Sequence, residues 1–231
     1  GVGLASSASG FAALTLAATQ ALGVEMSRKE LSIWARLGSG SAARSVFGGY
    51  VEWLTGEKHE DSFALSIAPP EHWEICDLIA LVSTASKEVG SSEGHRLAKT
   101  SPLYPARLSH LPEALVGTKE AISGRDFEAL GSLAEAEALS LHAIMMTSQP
   151  SLLYWTPETV RVIKKVRSLR KEGFPVYFTI DAGPNPHVLT LPVWAEEVGE
   201  ALKEVEGVER IITCRPGKGA ETVEESSSDH G

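Results

Sequence analysis

The sequence predicts an α+β fold in two domains, with helices packed on mainly antiparallel sheets. Three observations carry that prediction. Long stretches keep helical spacing of apolar residues, short β-rich runs lie between them, and PVYFTID and HVLTL flank a Gly183-Pro184-Asn185-Pro186 turn as a hairpin would. The boundaries are expected at residues 1–70 for the remainder of an N-terminal domain, 71–220 for a C-terminal α+β domain, and 221–231 for a disordered acidic tail.

FAALTLAATQAL reads as a helix ending at Gly23, a C-cap glycine. Ser27-Arg28-Lys29-Glu30 has capping-box spacing and opens the helix LSIWARLG. Gly38-Ser39-Gly40-Ser41 interrupts it, and SAARSVF resumes helical spacing. YVEWL and FALSIA are short strands, and Ala68-Pro69-Pro70 is the turn between domains. In the second domain DLIALVS is a buried strand, followed by two helices from Leu108 to about Thr147 broken near Gly124. Thr156-Pro157 starts another helix, with Pro at its first position. The hairpin, a helix over 192–205 and the strand VERIITC complete the fold.

Bulk properties narrow the function. The chain has 231 residues, 43% of them hydrophobic, enough for one large core or two modest ones. Its net charge of −9 argues against non-specific nucleic-acid binding, which depends on basic residues at phosphates. The most apolar stretch, 11–24, is broken by Thr15, Thr19, Gln20 and Gly23 and is too short for a membrane span. Cys76 and Cys214 are not in metal-ligand or disulfide-framework spacing, and read as buried free thiols in a reducing cytoplasm. The seven histidines lack metal-binding spacing, so no metal ligands are assigned. The five tryptophans read as core or interface residues. Lys164, Lys165, Arg167, Arg170 and Lys171 read as the solvated face of their helix. The sequence opens inside a glycine-rich loop with no strand before it, and N-terminal truncation is the expectation.

Three segments could carry chemistry. Gly3-Leu4-Ala5-Ser6-Ser7-Ala8-Ser9-Gly10 enters a helix, where small residues and free N–H groups let a phosphate approach. Tight helix packing accounts for the same residues equally well. The loop lacks the GKS/T of a Walker motif. In Gly38–Ser45, Ser39 and Ser41 precede a helix and one could serve as its N-cap. Arg44 then falls on the first turn, where the dipole opposes a cation, so a binding role for its planar fork is favoured over a surface ion pair. Asp181 ends an apolar strand at a Gly/Pro turn, which suits both an ordinary turn former and a rigidly held catalytic carboxylate.

GLASSASGFAAL, ARLGSGSAARSVFGGYVEW and FTIDAGPN, in this order, resemble the signature blocks of diphosphomevalonate decarboxylases. These enzymes belong to the galactokinase, homoserine kinase, mevalonate kinase and phosphomevalonate kinase superfamily. VSTASKEVGSSEG, residues 82–94, is similar to the family's serine-rich stretch, so the resemblance runs from residue 1 to about 190. It implies a small-molecule-kinase-type fold whose N-terminal domain is incomplete here. It also implies a homodimer that uses ATP and Mg²⁺ to phosphorylate the 3-hydroxyl of mevalonate 5-diphosphate, then releases phosphate and CO₂ to give isopentenyl diphosphate.

By the same resemblance, Asp181 is the catalytic aspartate and Arg44 binds the departing carboxylate. Ser39, Gly40 and Ser41 contact substrate, while Gly3, Leu4, Ala5, Ser6, Ser7, Ser91 and Ser92 lie at the ATP phosphates. This sequence departs from the family at Ala43, where a cysteine is usual, and lacks the N-terminal strands that carry a lysine. Gly217-Lys218-Gly219-Ala220 is loosely similar to a superfamily glycine motif. The competing readings are a decarboxylase of mevalonate 5-phosphate, a 3-kinase that does not decarboxylate, and an inactive fragment.

Overall fold

The computed structural model describes residues 6–84 and 90–223, without the side chains of Ser91 and Ser92. It divides into two compact units: Trp73–Arg215, and residues 6–72 joined by 216–223.

In the unit of residues 6–72, helix α1 (Ser6–Ala21) packs against α2 (Arg28–Gly38) and α3 (Ala42–Ser45). The capping box at Ser27 forms as the sequence predicts: Glu30 N–H donates to Ser27 Oγ and Ser27 N–H to Glu30 Oε2. Gly23 lies just past α1 with a φ of +67°, a conformation that glycine adopts without strain. Ala12, Leu31, Ala35, Ala42 and Val46 form the core, so small residues let the three helices approach closely. Strands β1 (Tyr50–Trp53) and β2 (Ala64–Ala68) form an antiparallel pair. Buried Ser32 ties α2 to β2 by accepting from Ala64 N–H at 3.0 Å.

Gly217–Ala220 packs in this same unit, although the sequence suggested the second domain. Gly49 N–H donates to the Gly217 carbonyl and Ala220 N–H to the Ser45 carbonyl. An added Cβ at Gly219 would lie 2.3 Å from the Val46 oxygen, so backbone proximity is what the glycine permits there.

The unit Trp73–Arg215 is built on a four-stranded sheet of order β4-β5-β3-β6, antiparallel at each pairing. Its strands are β3 (Cys76–Leu81), β4 (Val176–Thr179), β5 (His187–Thr190) and β6 (Arg210–Cys214). The predicted hairpin is present, with Phe178 opposite Val188. Leu78, Val162, Val166, Val176, Phe178, Val188, Val198 and Leu202 form one core between the sheet and helices α7 (Pro157–Lys171) and α8 (Ala195–Lys203). Helix α7 starts at the Thr156 cap with Pro157 in its first turn. Helices α5 (Tyr104–Gly124) and α6 (Phe127–Thr147) pack on each other, and α6 lies along β4.

Three local expectations change. The turn between α5 and α6 reverses at Arg125, with φ 54°, rather than at Gly124, and Asp126 caps α6 through Ala129 N–H. Ser91–Ala98 forms a helix, α4, where the sequence suggested only a serine-rich stretch. Arg170 does not join a solvated face: it pairs with buried Glu135 and lies 4.1 Å from the Tyr177 ring centre. Both cysteines are free, with Cys76 buried and Cys214 only half-buried.

Candidate active site

Three serines of the first unit converge at helix ends. Ser7 is in the first turn of α1, Ser39 follows α2, and Ser41 precedes α3. Their hydroxyls form a chain, with Ser7 Oγ 3.2 Å from Ser39 Oγ and Ser39 Oγ 3.4 Å from Ser41 Oγ. The sequence placed Ser7 at ATP phosphates and the other two at substrate, and the fold brings all three together. Ser41 makes no side-chain cap to α3, so capping does not account for it. Gly40 has a packing reason: a Cβ there would lie 2.9 Å from Cη2 of Trp53. Gly10 has none, because its Cβ direction is open. Gly3, Leu4 and Ala5 lie outside the described residues. Ser6 is exposed at the start of α1.

Arg44 is exposed and lines a cavity of about 570 Å³ with Ser9, Ser45 and Lys218. Its guanidinium has no hydrogen bond or ion pair among the described residues, nor does it meet the Ser7–Ser39–Ser41 chain. The dipole argument for Arg44 fails in the folded chain. Helix α3 has only four residues and Arg44 is in its last turn, where a cation is not opposed.

Asp181 is in the other unit, two residues past the end of β4, and it is exposed. The strand thus stops short of the PVYFTID run, and the backbone turns at once as Gly183 N–H donates to the Asp181 carbonyl at 2.7 Å. Three elements hold this turn. Buried Asn185 accepts from the N–H groups of Val82 and Ser83 at 2.9 and 3.1 Å and donates to the Ser83 carbonyl at 3.0 Å. Thr159, in the first turn of α7, donates to the Pro184 carbonyl at 2.6 Å. His142 of α6 places Nε2 3.2 Å from the Asp181 carbonyl. The sequence pattern pointed to Asp181 but not to Thr159 or His142, whose roles depend on contacts across 25 and 39 residues.

Two histidines near Asp181 differ in acidity. Burial holds His142 below the usual imidazole range, against hydrogen bonds to the backbone of Ile180 and Asp181 and the Asp181 charge. For His187, burial also favours the neutral ring, but the Asp77 hydrogen bond and the Asp77 and Asp181 charges outweigh it, so its pKa is raised. His187 Nδ1 lies 2.8 Å from Asp77 Oδ2.

Ser91 and Ser92 form the first turn of α4, where unpaired N–H groups suit an anion. Among the described residues, no cluster of three or more His, Cys, Asp or Glu residues could hold a metal ion.

Two domain models cover this chain: the diphosphomevalonate decarboxylase-like N-terminal domain matches residues 1–64, and the mevalonate 5-diphosphate decarboxylase C-terminal domain matches residues 77–228. The chain belongs to the diphosphomevalonate decarboxylase family. The diphosphomevalonate decarboxylase of Candida albicans is 34% identical over 97% of this chain and 68% of its own length. The phosphomevalonate decarboxylase of Haloferax volcanii is 35% identical over 98% of this chain and 69% of its own.

Among solved structures, the mevalonate diphosphate decarboxylase of Enterococcus faecalis matches with a TM-score of 0.87 at 38% identity, over 94% of this chain and 67% of that one. A complex described as MDDEF with MVAPP, AMPPCP and magnesium matches with a TM-score of 0.89 at 39% identity and the same coverage. Other family members are covered less: the chain spans 53% of the Ganoderma lucidum decarboxylase and 52% of the Aspergillus fumigatus one. The α+β family fold predicted from sequence is the one observed.

Proposed function

We propose that the whole protein catalyses the ATP-dependent decarboxylation of mevalonate 5-diphosphate to isopentenyl diphosphate, a step of isoprenoid synthesis by the mevalonate pathway. The observation that carries this reading is the Asp181 turn, a carboxylate anchored by three elements and directed to solvent, in a chain of this family. Bound with Mg²⁺, ATP supplies the phosphoryl group that turns the 3-hydroxyl into a leaving group. The Ser7, Ser39 and Ser41 hydroxyls fit a magnesium–phosphate ligand, because Mg²⁺ takes oxygen donors and keeps several waters.

Each residue then has a part. The N-terminal turn of α1, with Ser6 and Ser7, the preceding Gly3, Leu4 and Ala5 of the sequence, and the N-terminal turn of α4, with Ser91 and Ser92, receive the ATP phosphates. Ser39, Gly40 and Ser41 orient the substrate. Arg44, free of protein partners among the described residues, binds its carboxylate bidentately. Asp181 accepts or orients the proton of the tertiary hydroxyl, which is a weak nucleophile until a placed base helps it. When phosphate leaves, positive charge develops at C3, and the Asp181 carboxylate stabilises it as CO₂ is lost.

We further propose a cytoplasmic homodimer, which two free thiols in a reducing compartment fit. The Haloferax relative, named for the monophosphate, motivates a direct substrate test. The full-length protein is assayed for CO₂ release with ATP–Mg²⁺ and either mevalonate 5-diphosphate or mevalonate 5-phosphate. A kcat/KM at least about tenfold higher for the diphosphate is expected, equivalent to about 1.4 kcal/mol of discrimination. A preference for the monophosphate reassigns the substrate, and phosphorylation without CO₂ would make the protein a kinase.

A further inference from the structure

With Asp181 read as the catalytic carboxylate, we propose that His142 is a positioning residue for the reaction, aiming Asp181 through a hydrogen bond to its backbone carbonyl. The argument starts from the buried stripe of α6, which runs through Phe127, Gly131, Glu135, Ala138 and His142. Two of these side chains reach polar backbone atoms of the β4 segment. Glu135 Oε1 accepts from Phe178 N–H at 3.1 Å, and His142 Nε2 lies 3.2 Å from the Asp181 carbonyl. His142 is seven positions on from Glu135, a rise of about 10.5 Å, and Asp181 is three positions on from Phe178, about 10 Å of extended chain. The two lengths match, so the helix is in register with the chain at both points.

The hydrogen bond has a fixed sense. A carbonyl only accepts, so Nε2 carries the proton. His142 is 2% exposed and its ring is boxed by Trp155, with centres 5.0 Å apart, and by Tyr154 at 6.2 Å. Burial keeps the imidazole neutral, which leaves Nε2–H as its donor to this carbonyl. Asn185 and Thr159 hold the far side of the turn. Among the described side chains, His142 alone bonds to the peptide of Asp181 itself. Fixing that carbonyl fixes the backbone torsion from which the Asp181 side chain projects. A shift of about 1 Å in a positioned catalytic group can cost about a hundredfold in rate.

The test uses the full-length protein with His142→Phe, His142→Asn and His142→Gln, beside an Asp181→Asn control. Gln carries an amide N–H close to the place of Nε2, Asn stops short of it, and Phe keeps the ring volume without a donor. The expected result is a kcat lowered about 10- to 100-fold in the Phe and Asn variants, equally for ADP and CO₂, with KM for both substrates changed by less than about twofold. The Gln variant should return to within about threefold of the parent.

A purely structural role would lower the melting temperature without this contrast in kcat. If Gln is no better than Asn, or if all folded variants match the parent, the positioning role is wrong. Should the Phe variant fail to fold, the Asn–Gln comparison decides alone. A fully active Asp181→Asn enzyme would instead overturn the reading of the site, whatever the His142 variants do.

Discussion

His142 and His187 lie near the same aspartate and respond to pH in opposite senses. The raised pKa of His187 means that its bond to Asp77 adds stability below the unfolded pKa of about 6.5, and this is lost as pH rises through the folded value. His142 is depressed, so the stability tied to its neutral form is present above about 6.5 and is lost as pH falls through its folded value. Asp77→Asn should therefore destabilise the protein by about 1 kcal/mol at pH 5.5 and by much less at pH 9, as measured by urea denaturation. An equal loss at both pH values would show that the charge of His187 contributes nothing. Among the described residues Asp77 Oδ1 is buried without a hydrogen-bond partner, and the carboxylate meets His187 through Oδ2.

Helix α6 shows how one element can serve both stability and the site. Strand β4 is a sheet edge whose outward backbone groups need partners. Glu135 takes the Phe178 N–H and Arg170 donates to the Val176 carbonyl, while the two side chains pair with each other. Glu135→Ala would leave a half-buried guanidinium and an edge N–H without their carboxylate, and a loss of about 2 kcal/mol is expected in equilibrium unfolding. A loss below about 1 kcal/mol would mean that solvent replaces the carboxylate. Gly131, one turn earlier, lets Tyr177 lie against the helix, since a Cβ there would be 2.1 Å from the ring. The sequence could not show this arrangement, because Arg170 and Glu135 are 35 residues apart and each looks solvated in its own helical pattern.

At the scale of the whole molecule, local signals were legible where the cause is local. The Ser27 capping box, the Thr156–Pro157 start and the Gly183–Pro186 hairpin turn depend on neighbours in sequence, and each forms. Helix α4 was missed because Ser91, Ser92 and Gly94 look like loop residues until Gly90 is seen to cap them. The reversal at Arg125 was missed because a left-handed residue is usually glycine, and here Gly124 precedes it. Within the candidate site, resemblance and residue type singled out Asp181, Arg44 and the serines. The convergence of Ser7, Ser39 and Ser41 and the support beneath Asp181 came only from tertiary contacts.

The central claim is that Asp181 activates the hydroxyl that is phosphorylated before CO₂ leaves. Asp181→Asn keeps the volume and removes the negative charge, so the full-length variant, assayed with ATP–Mg²⁺ and mevalonate 5-diphosphate, isolates that role. The account predicts that ADP and CO₂ formation both fall by about 10² to 10⁴, the range expected for losing a positioned general base. Rates within about threefold of the parent, well outside that range, would contradict it.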